Sequence, residues 1–291
     1  MTTSFRQIIN KAAKEKRILV VPGAHDALSA RLIQKIGFET YFIGGFPAVG
    51  SRYGVPDVGL KGFGEISAAV RDITAACNLP VFVDGDDGYG DVKNVVHMVQ
   101  SYERMGVSAI LIEDQQWPKR CGHMVGKKVV PTEMMEAKIR AATSERLNRE
   151  TWILARTDAR AVYDLDEAMR RAERYIRAGA DGIFVEAPRS IEELRKLGRA
   201  FDVPQICNPL VGGHTPILTM QELGELGFTA AVLGLDTLMH AAKAVENVLL
   251  DMKSGQFARR NEGMDFEEYK KVVDYDKWES IDNRFAYPAK Q

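Results

Sequence analysis

Eight short β-rich runs alternate with longer amphipathic stretches along most of this chain, and this alternation constrains its fold more than any other feature. The predicted strands are Ile18–Val21, Thr40–Ile43, Val81–Asp84, Ala109–Glu113, Trp152–Arg156, Gly182–Glu186, Gln205–Asn208 and Ala230–Leu233. The helical patterns between them include Asp26–Ile36, Glu65–Ala76, Val92–Met105, Met134–Leu147, Leu165–Ala178, Ile191–Ala200 and Met220–Leu226. Strands separated by helices pair in parallel through right-handed crossovers.

Eight such units predict an α/β fold, a closed (β/α)8 barrel of the TIM type, over residues 1–245. A doubly wound open sheet is the alternative, but eight even units leave little chain for a second domain. Residues 246–291 differ, because they are charged, broken by Gly255 and Gly263, and rich in large aromatic side chains. We interpret them as a C-terminal helical extension that packs on another surface, such as a neighbouring subunit.

The charge balance argues against two classes of partner. The 291 residues carry 39 basic and 40 acidic side chains, a net charge of −1, and no run of like charge. Neither a nucleic-acid surface nor a membrane-binding patch is therefore expected. Cysteines at 77, 121 and 207 do not resemble an oxidised framework, and the polar helical N-terminus has no apolar signal core. We expect a soluble, cytoplasmic protein.

Polar residues follow the apolar bodies of the predicted strands. At the strand ends stand Gly44 and Gly45, Asp84 and Asp86, Glu113, Arg156 and Asp158, Glu186, and Asn208. In a (β/α)8 barrel the catalytic groups come from this face. The alternative is that some of these groups only neutralise one another, as Arg156 could with Glu186.

The motif VDGDDGYG (83–90) ends the third predicted strand and has carboxylates at 84, 86 and 87. Alternation along a strand predicts that Asp84 and Asp86 point to the same side, while Asp87 begins the turn. Hard oxygen ligands suit Mg²⁺ or Mn²⁺ better than Zn²⁺, and Glu113 on the next strand would complete the pocket directly or through water. An ordinary Asp/Gly turn is the alternative.

Residues 114–132 form a long βα loop, called the lid loop below, because loops of this length are usually functional. Cys121 lies in it among Lys119, Arg120 and His123, whose positive charge favours a thiolate. A structural cysteine would prefer an apolar interior. Cys121 is thus a candidate nucleophile or acid/base group, and the lack of a visible triad favours acid/base chemistry.

Several motifs make the chain resemble the isocitrate lyase and phosphoenolpyruvate mutase superfamily, and within it the short methylisocitrate lyase-like group. The motifs are PGAHDALSARL (22–32), VPD (55–57), VDGDDGYG, EDQQWPKRCGH (113–123), ARTDA (155–159), EAP (186–188) and NPLVGGHTP (208–216). The resemblance covers roughly residues 18 to 245. It implies a Mg²⁺-dependent barrel whose C-terminal helix is swapped between subunits in a homotetramer, a dimer of dimers.

The resemblance also implies roles for individual residues. The metal ligands would be Asp84 and Asp86, with Glu113 supporting through water. The 2-oxo or 2-hydroxy acid would be bound by Gly44, Gly45, Phe46, Gly122, Arg156, Glu186 and Asn208. The catalytic residues would be Cys121, Lys119, His123 and Asp57. Cys121 would protonate the carbanion left by C–C cleavage, and the base remains open between Asp57, Tyr53 and a metal-held water.

The implied activity is an oxo-acid lyase that cleaves a branched 2-hydroxy dicarboxylate to pyruvate and a carboxylic acid. Candidate substrates are of the 2,3-dimethylmalate or 2-methylisocitrate type. A carboxyvinyl-carboxyphosphonate phosphorylmutase-like or oxaloacetate hydrolase or decarboxylase activity is the alternative, and a barrel that only binds oxo acids is a third. Two departures from the group, Val211 in place of a glutamate and Met239 in place of the arginine that binds a third carboxylate, predict apolar surface where related lyases offer polar or cationic groups.

Overall fold

The computed structural model describes residues 3–122, 124 and 126–286. Its eight parallel strands are β1 (Leu19–Pro22), β2 (Tyr41–Ile43), β3 (Val81–Asp84), β4 (Val107–Glu113), β5 (Trp152–Thr157), β6 (Gly182–Val185), β7 (Gln205–Cys207) and β8 (Ala230–Leu233). They hydrogen-bond in the order β1-β8-β7-β6-β5-β4-β3-β2, and a parallel bridge between Gly23 and Phe42 joins the two ends. The prediction of a TIM-type barrel is confirmed.

Thirteen helices are described around this sheet. They are α1 (Phe5–Lys14), α2 (Ala27–Ile36), α3 (Gly45–Tyr53), α4 (Phe63–Thr74), α5 (Val92–Arg104), α6 (Thr132–Glu145), α7 (Ala159–Val162), α8 (Leu165–Arg177), α9 (Ile191–Gly198), α10 (Met220–Leu226), α11 (Asp236–Ser254), α12 (Phe266–Val272) and α13 (Tyr275–Phe285). Capping sets several of these limits. At α2, for example, Asp26 accepts from the Ser29 amide at 2.7 Å and Gly37 ends the helix with φ 94°.

The N-terminal helix α1 closes the bottom of the barrel. Its buried residues, Phe5, Ile8, Ile9 and Ala12, join the apolar cluster inside the strands. The Phe5 ring lies 5.3 Å from the rings of both Phe82 and Trp152. The segment expected to be polar is therefore amphipathic, and its apolar face fills the end of the barrel opposite the strand C-termini.

The C-terminal part differs from the barrel. The expected boundary at residue 245 lies within α11, which is continuous from Asp236 to Ser254 and buries none of its residues. Helix α12 packs on α2, where Arg31 lies 2.5 Å from Asp274 and Val272 is buried. Among the described residues, no helix is long and apolar enough to cross a membrane.

Candidate active site

A cleft at the carboxyl ends of the strands collects nearly all the predicted site residues. It encloses about 660 Å³, solvent at its mouth included. The predicted residues that line it are Gly44, Gly45, Phe46, Asp57, Asp84, Glu113, Lys119, Cys121, Gly122, Arg156, Glu186 and Asn208. Asp86 reaches it through Lys119, whereas His123 lies outside the described residues.

The carboxylates of the VDGDDGYG motif are arranged by a turn, not by strand alternation as expected. β3 ends at Asp84, and the Gly85 amide donates to the Leu111 carbonyl at 2.8 Å. Asp86 then adopts a left-handed φ of 47°, and its amide donates to Asp84 Oδ1 at 3.0 Å. The two carboxylates are therefore neighbours because the chain folds back after the strand.

Asp87 faces away from this cleft. Its Oδ2 lies 3.6 Å from the buried Lys138 ammonium, which also donates to the Asp87 carbonyl at 2.7 Å. Its Oδ1 accepts from the Tyr89 amide at 2.9 Å. Asp87 stabilises the turn, and it does not line the cleft with Asp84.

Lys119 from the lid loop is buried between two carboxylates. Its Nζ lies 2.7 Å from Asp57 Oδ2 and 2.6 Å from Asp86 Oδ1. Burial lowers the pKa of Lys119, but the charges of Asp86 and Asp57 outweigh burial and hold it well above its usual value. A Cβ at Gly45 would lie 3.2 Å from both the ammonium and Asp86 Oδ1, so glycine leaves room for this pair.

Arg156 lies among three carboxylates on the opposite side. Glu113 and Arg156 are partners in the β4–β5 register, and Arg156 Nε lies 3.4 Å from Glu113 Oε2. Nε is 2.9 Å from Asp158 Oδ2, and Nη2 is 3.1 Å from Glu186 Oε2. The mutual neutralisation weighed for Arg156 and Glu186 is thus present, and both residues still line the cleft.

The turn that begins at Cys121 lies directly on this cluster. The Met124 amide donates to the Cys121 carbonyl at 2.8 Å. A Cβ added at Gly122 would lie 2.4 Å from Arg156 Nη2 and 2.6 Å from Glu186 Oε2, so a larger residue would have to displace these two side chains. The half-exposed Cys121 is thereby held at the cleft, beside Arg156 and Glu186.

Comparisons with known proteins agree with this geometry. Residues 9–253 match the phosphoenolpyruvate phosphomutase family. The chain is 39% identical to a 2-methylisocitrate lyase of Halalkalibacterium halodurans, over 97% of this chain and 92% of the relative. It is 36% identical to a 2,3-dimethylmalate lyase of Eubacterium barkeri, over 96% and 99%. The chain belongs to the phosphoenolpyruvate phosphomutase family.

Solved structures of this family superpose closely on the chain. A 2,3-dimethylmalate lyase matches with a TM-score of 0.91 and 28% identity, covering 99% of this chain and 97% of that one. A phosphonopyruvate hydrolase, in complex with oxalate and Mg²⁺, matches with a TM-score of 0.86 and 26% identity, covering 98% and 100%. The expected superfamily is confirmed, and the chain is an enzyme whose named relatives here include carbon–carbon lyases.

The donor set of this phosphomutase-family site fits a hard divalent cation. Asp86 Oδ2 and Glu113 Oε1 are buried and have no hydrogen-bond partner within the described chain. Burial is the largest cause that raises the pKa of Asp84, Asp86 and Glu113, and a nearby dication would favour their charged forms. No three His, Cys, Asp or Glu side chains converge on one point in the described residues. Mg²⁺ tolerates this, since it keeps several waters and takes few carboxylates.

Two predicted residues lie outside the cleft, and three residues that were not predicted lie in it or against it. Val211 and Met239 do not line the cleft, because Val211 is 75% and Met239 48% exposed. Leu210, next to Val211, and Leu235, four residues before Met239, line it instead. Lys127, also unforeseen, is buried beneath the Cys121 turn. A lysine in a glycine-containing loop gives no sequence signal of burial, so the burial of Lys127 could be recognised only from the structure.

Proposed function

We propose that this enzyme is a Mg²⁺-dependent lyase that breaks the C2–C3 bond of a branched 2-hydroxy dicarboxylate, releasing pyruvate and a carboxylic acid. The substrate would be of the 2,3-dimethylmalate or 2-methylisocitrate type. The observation that carries the proposal is the packing of the Cys121–Gly122 turn on Arg156 and Glu186. It brings the Cys121 thiol and a buried carboxylate cluster to one cleft.

Asp84, Asp86 and Glu113 would hold the Mg²⁺, with Mn²⁺ as the substitute ion. When bound, the cation would withdraw electron density from the 2-hydroxy carboxylate and stabilise the 2-oxo product. Asp86 suits this role because Lys119 lies against its Oδ1, leaving the buried Oδ2 for the cation or its water. The carboxylates around the cleft also outnumber the buried cations, an imbalance that a dication reduces.

The substrate would lie between the metal ligands and the cysteine. Gly44, Gly45 and Phe46 would line the 2-oxo acid portion, because α3 begins there and the Gly45 amide points toward Asp84 Oδ2 at 3.4 Å. Arg156 would bind a carboxylate, and Glu186 and Asn208 would hold the remaining polar groups.

Asp57 is the better candidate for the base that removes the hydroxyl proton. It is buried, lines the cleft and lies 2.7 Å from the Lys119 ammonium through its Oδ2. Tyr53, the other side chain considered, donates its hydroxyl to the Glu65 carbonyl at 3.2 Å and does not line the cleft.

Bond cleavage leaves a carbanion that is stabilised as an enediolate, and this fragment needs positive charge and a proton. Lys119 and Arg156 supply fixed charge beside the cleft. The Cys121 thiol would then transfer its proton to the carbon that was C3, which completes the carboxylic acid product. His123 would assist as a further cation.

The proposed partner is a second copy of this chain, in a homotetramer built from dimers. Helix α11 buries none of its 19 residues, yet it presents Val245, Leu249 and Leu250, each 58% exposed. Contact with another protein surface would remove these apolar side chains from water and so stabilise the helix. Exchange of the C-terminal extension between subunits would supply such a cover.

A coupled assay for pyruvate release tests the proposed activity. The purified enzyme with Mg²⁺ would be offered 2,3-dimethylmalate, other alkyl malates, 2-methylisocitrate and oxaloacetate. Pyruvate from an alkyl malate or methylisocitrate is the expected result. Acetate and oxalate from oxaloacetate, without pyruvate from any 2-hydroxy acid, would instead favour the hydrolase alternative.

A further inference from the structure

Lys127 in the lid loop is buried and makes two contacts that bridge separate parts of the site. Its side chain is only 2% exposed, and its Nζ lies 2.6 Å from Asp158 Oδ1. The same ammonium donates a hydrogen bond to the Gly122 carbonyl. A buried lysine is rare and needs such partners, whereas the adjacent Lys128 is exposed.

Asp158, the anchor for Lys127, is itself held firmly. It is fully buried, and its amide donates to Asp114 Oδ1 at 2.9 Å. Asp114 also accepts from the Thr157 hydroxyl at 2.7 Å and the Tyr175 hydroxyl at 2.8 Å. Asp158 accepts from Arg156 Nε at 2.9 Å, so one carboxylate orients both Arg156 and Lys127.

The contact at Gly122 transmits this anchoring to the cysteine. Gly122 follows Cys121 directly and packs against Arg156 Nη2 and Glu186. The hydrogen bond from the Lys127 ammonium to the Gly122 carbonyl holds the backbone of Gly122, the residue that directly follows Cys121. A sulfur that must reach one carbon atom is sensitive to the position of this backbone, because displacements of about 1 Å can reduce rates about 100-fold.

We propose that Lys127 is a positioning residue that ties the Cys121–Gly122 turn to Asp158 and so holds Cys121 over the clamp formed by Arg156 and Glu186. This inference rests on the proposed role of Cys121 as proton donor. Lys127 touches no reacting atom in this account, and it acts only through the turn.

The test compares Lys127→Met with Lys128→Met, a matched change at the exposed neighbour. Turnover is measured with the best substrate of the pyruvate assay, and the alkylation rate of each cysteine by iodoacetamide is followed by peptide mass spectrometry. Lys127→Met should lower kcat about 100-fold, change KM only a few-fold, and change the alkylation rate of Cys121 several-fold. Lys128→Met should match the wild type in all three.

The labelling of the two buried cysteines and the melting temperature distinguish a positioning effect from a loss of stability. Cys77 and Cys207 are buried, so their labelling reports unfolding. Changes confined to Cys121 support the proposal, while equal labelling of all three cysteines with a lowered melting temperature contradicts it. If Lys127→Met does not fold, Lys127→Gln undergoes the same comparison, because its side chain is one atom shorter and lacks the charge that pairs with Asp158. A kcat and a Cys121 alkylation rate equal to those of Lys128→Met would overturn the proposal.

The alkylation result also stands apart from the proposed reaction. If the wild type releases no pyruvate, the proposed lyase activity is refuted. A Cys121 alkylation rate that differs between Lys127→Met and Lys128→Met would still support the positioning role of Lys127. If Lys127→Met and Lys128→Met have equal kinetic constants and equal alkylation rates, Lys127 does not position Cys121. The proposed lyase activity is not affected by that result.

Discussion

Cys121 differs from the other two cysteines in its surroundings. Burial raises the pKa of Cys77 and of Cys207, which are packed in the apolar core, so these thiols stay neutral and inert. Cys121 instead lines the cleft beside Lys119, Arg120 and Arg156. Among the three cysteines, it is the one suited to exchange a proton with a bound substrate.

The metal assignment predicts different outcomes for neighbouring carboxylates. Asp84→Ala and Asp86→Ala should each abolish turnover and weaken Mn²⁺ binding at least about 10-fold, because the cation loses a direct or water-mediated ligand. Mn²⁺ binding is measured by electron paramagnetic resonance of the free ion. Asp87→Asn is the control, since Asp87 faces Lys138 outside the cleft. Full activity after EDTA treatment and desalting would exclude a required metal.

The cleft wall predicts a preference for alkyl-substituted substrates. Leu210 and Leu235 offer apolar surface, and a methyl group buried there contributes about 0.8 kcal/mol, whereas a third carboxylate would be buried unpaired. Wild-type kcat/KM should therefore be higher for 2,3-dimethylmalate than for 2-methylisocitrate. Leu210→Arg should shift that ratio about 10-fold toward methylisocitrate.

Val211→Arg is the matched control for this change, because Val211 is the next residue but points to solvent. Its ratio should equal the wild-type ratio. Equal shifts of the ratio in both variants would show that Leu210 does not determine the substrate preference. A wild type that prefers methylisocitrate 10-fold or more would show the same.

Sequence patterns predicted which residues gather at the site better than how they are oriented. The strand ends and the lid loop correctly indicated the residues that line the cleft, because a parallel barrel brings all strand C-termini to one face. The Asp86 turn, the Lys127 burial and the choice of Leu210 over Val211 depend on loop conformation. Loop backbones lack a periodicity from which side-chain direction can be inferred.

At the scale of elements, periodic segments were predicted closely and short irregular ones were not. β3, β8 and α10 match their predicted limits, since each is bounded by clear turn or capping residues. Helix α3 follows β2 in GGFPAVGSRY, which has no helical apolar repeat, so no helix was predicted there. Its start at Gly45 is decided by packing beside Asp86 and Lys119.

The packing of helix α1 into the barrel predicts that it contributes strongly to stability. Phe5→Ala should lower the free energy of unfolding by about 3–5 kcal/mol, because the ring is fully buried against Phe82 and Trp152. Urea unfolding followed by circular dichroism measures this. Lys11→Ala, on the exposed side of the same helix, should change stability by less than about 1 kcal/mol. Similar losses in both would mean that α1 does not close the barrel.

Helix α11, which follows the last strand of the barrel, buries none of its residues in the described chain. The sequence predicted a C-terminal extension from its charge and aromatic content, but α11 begins before the expected boundary and carries apolar side chains with no cover in one chain. In the proposed assembly a second copy of the chain would cover them, and amphipathic spacing alone does not reveal which surface does so.

Leu249→Glu with Leu250→Glu tests the assembly. Light scattering coupled to size-exclusion chromatography should report a tetramer for the wild type and smaller species for the double variant, because buried charge opposes association. Lys196→Glu, an exposed change on α9, should leave the wild-type mass. A monomeric wild type, or a tetrameric double variant, would contradict the proposed use of α11.

The reaction of 2,3-dimethylmalate in D₂O with Mg²⁺, followed by nuclear magnetic resonance, tests the proposed lyase mechanism most directly. The proposed mechanism predicts equal amounts of pyruvate and propionate, with one solvent deuterium on the propionate carbon that was C3. Cys121→Ser should slow this about 100-fold or more, because a hydroxyl is a far weaker acid than a thiol, while oxalate affinity stays within a few-fold. Near wild-type turnover in Cys121→Ser, or no pyruvate from the wild type, would contradict the account.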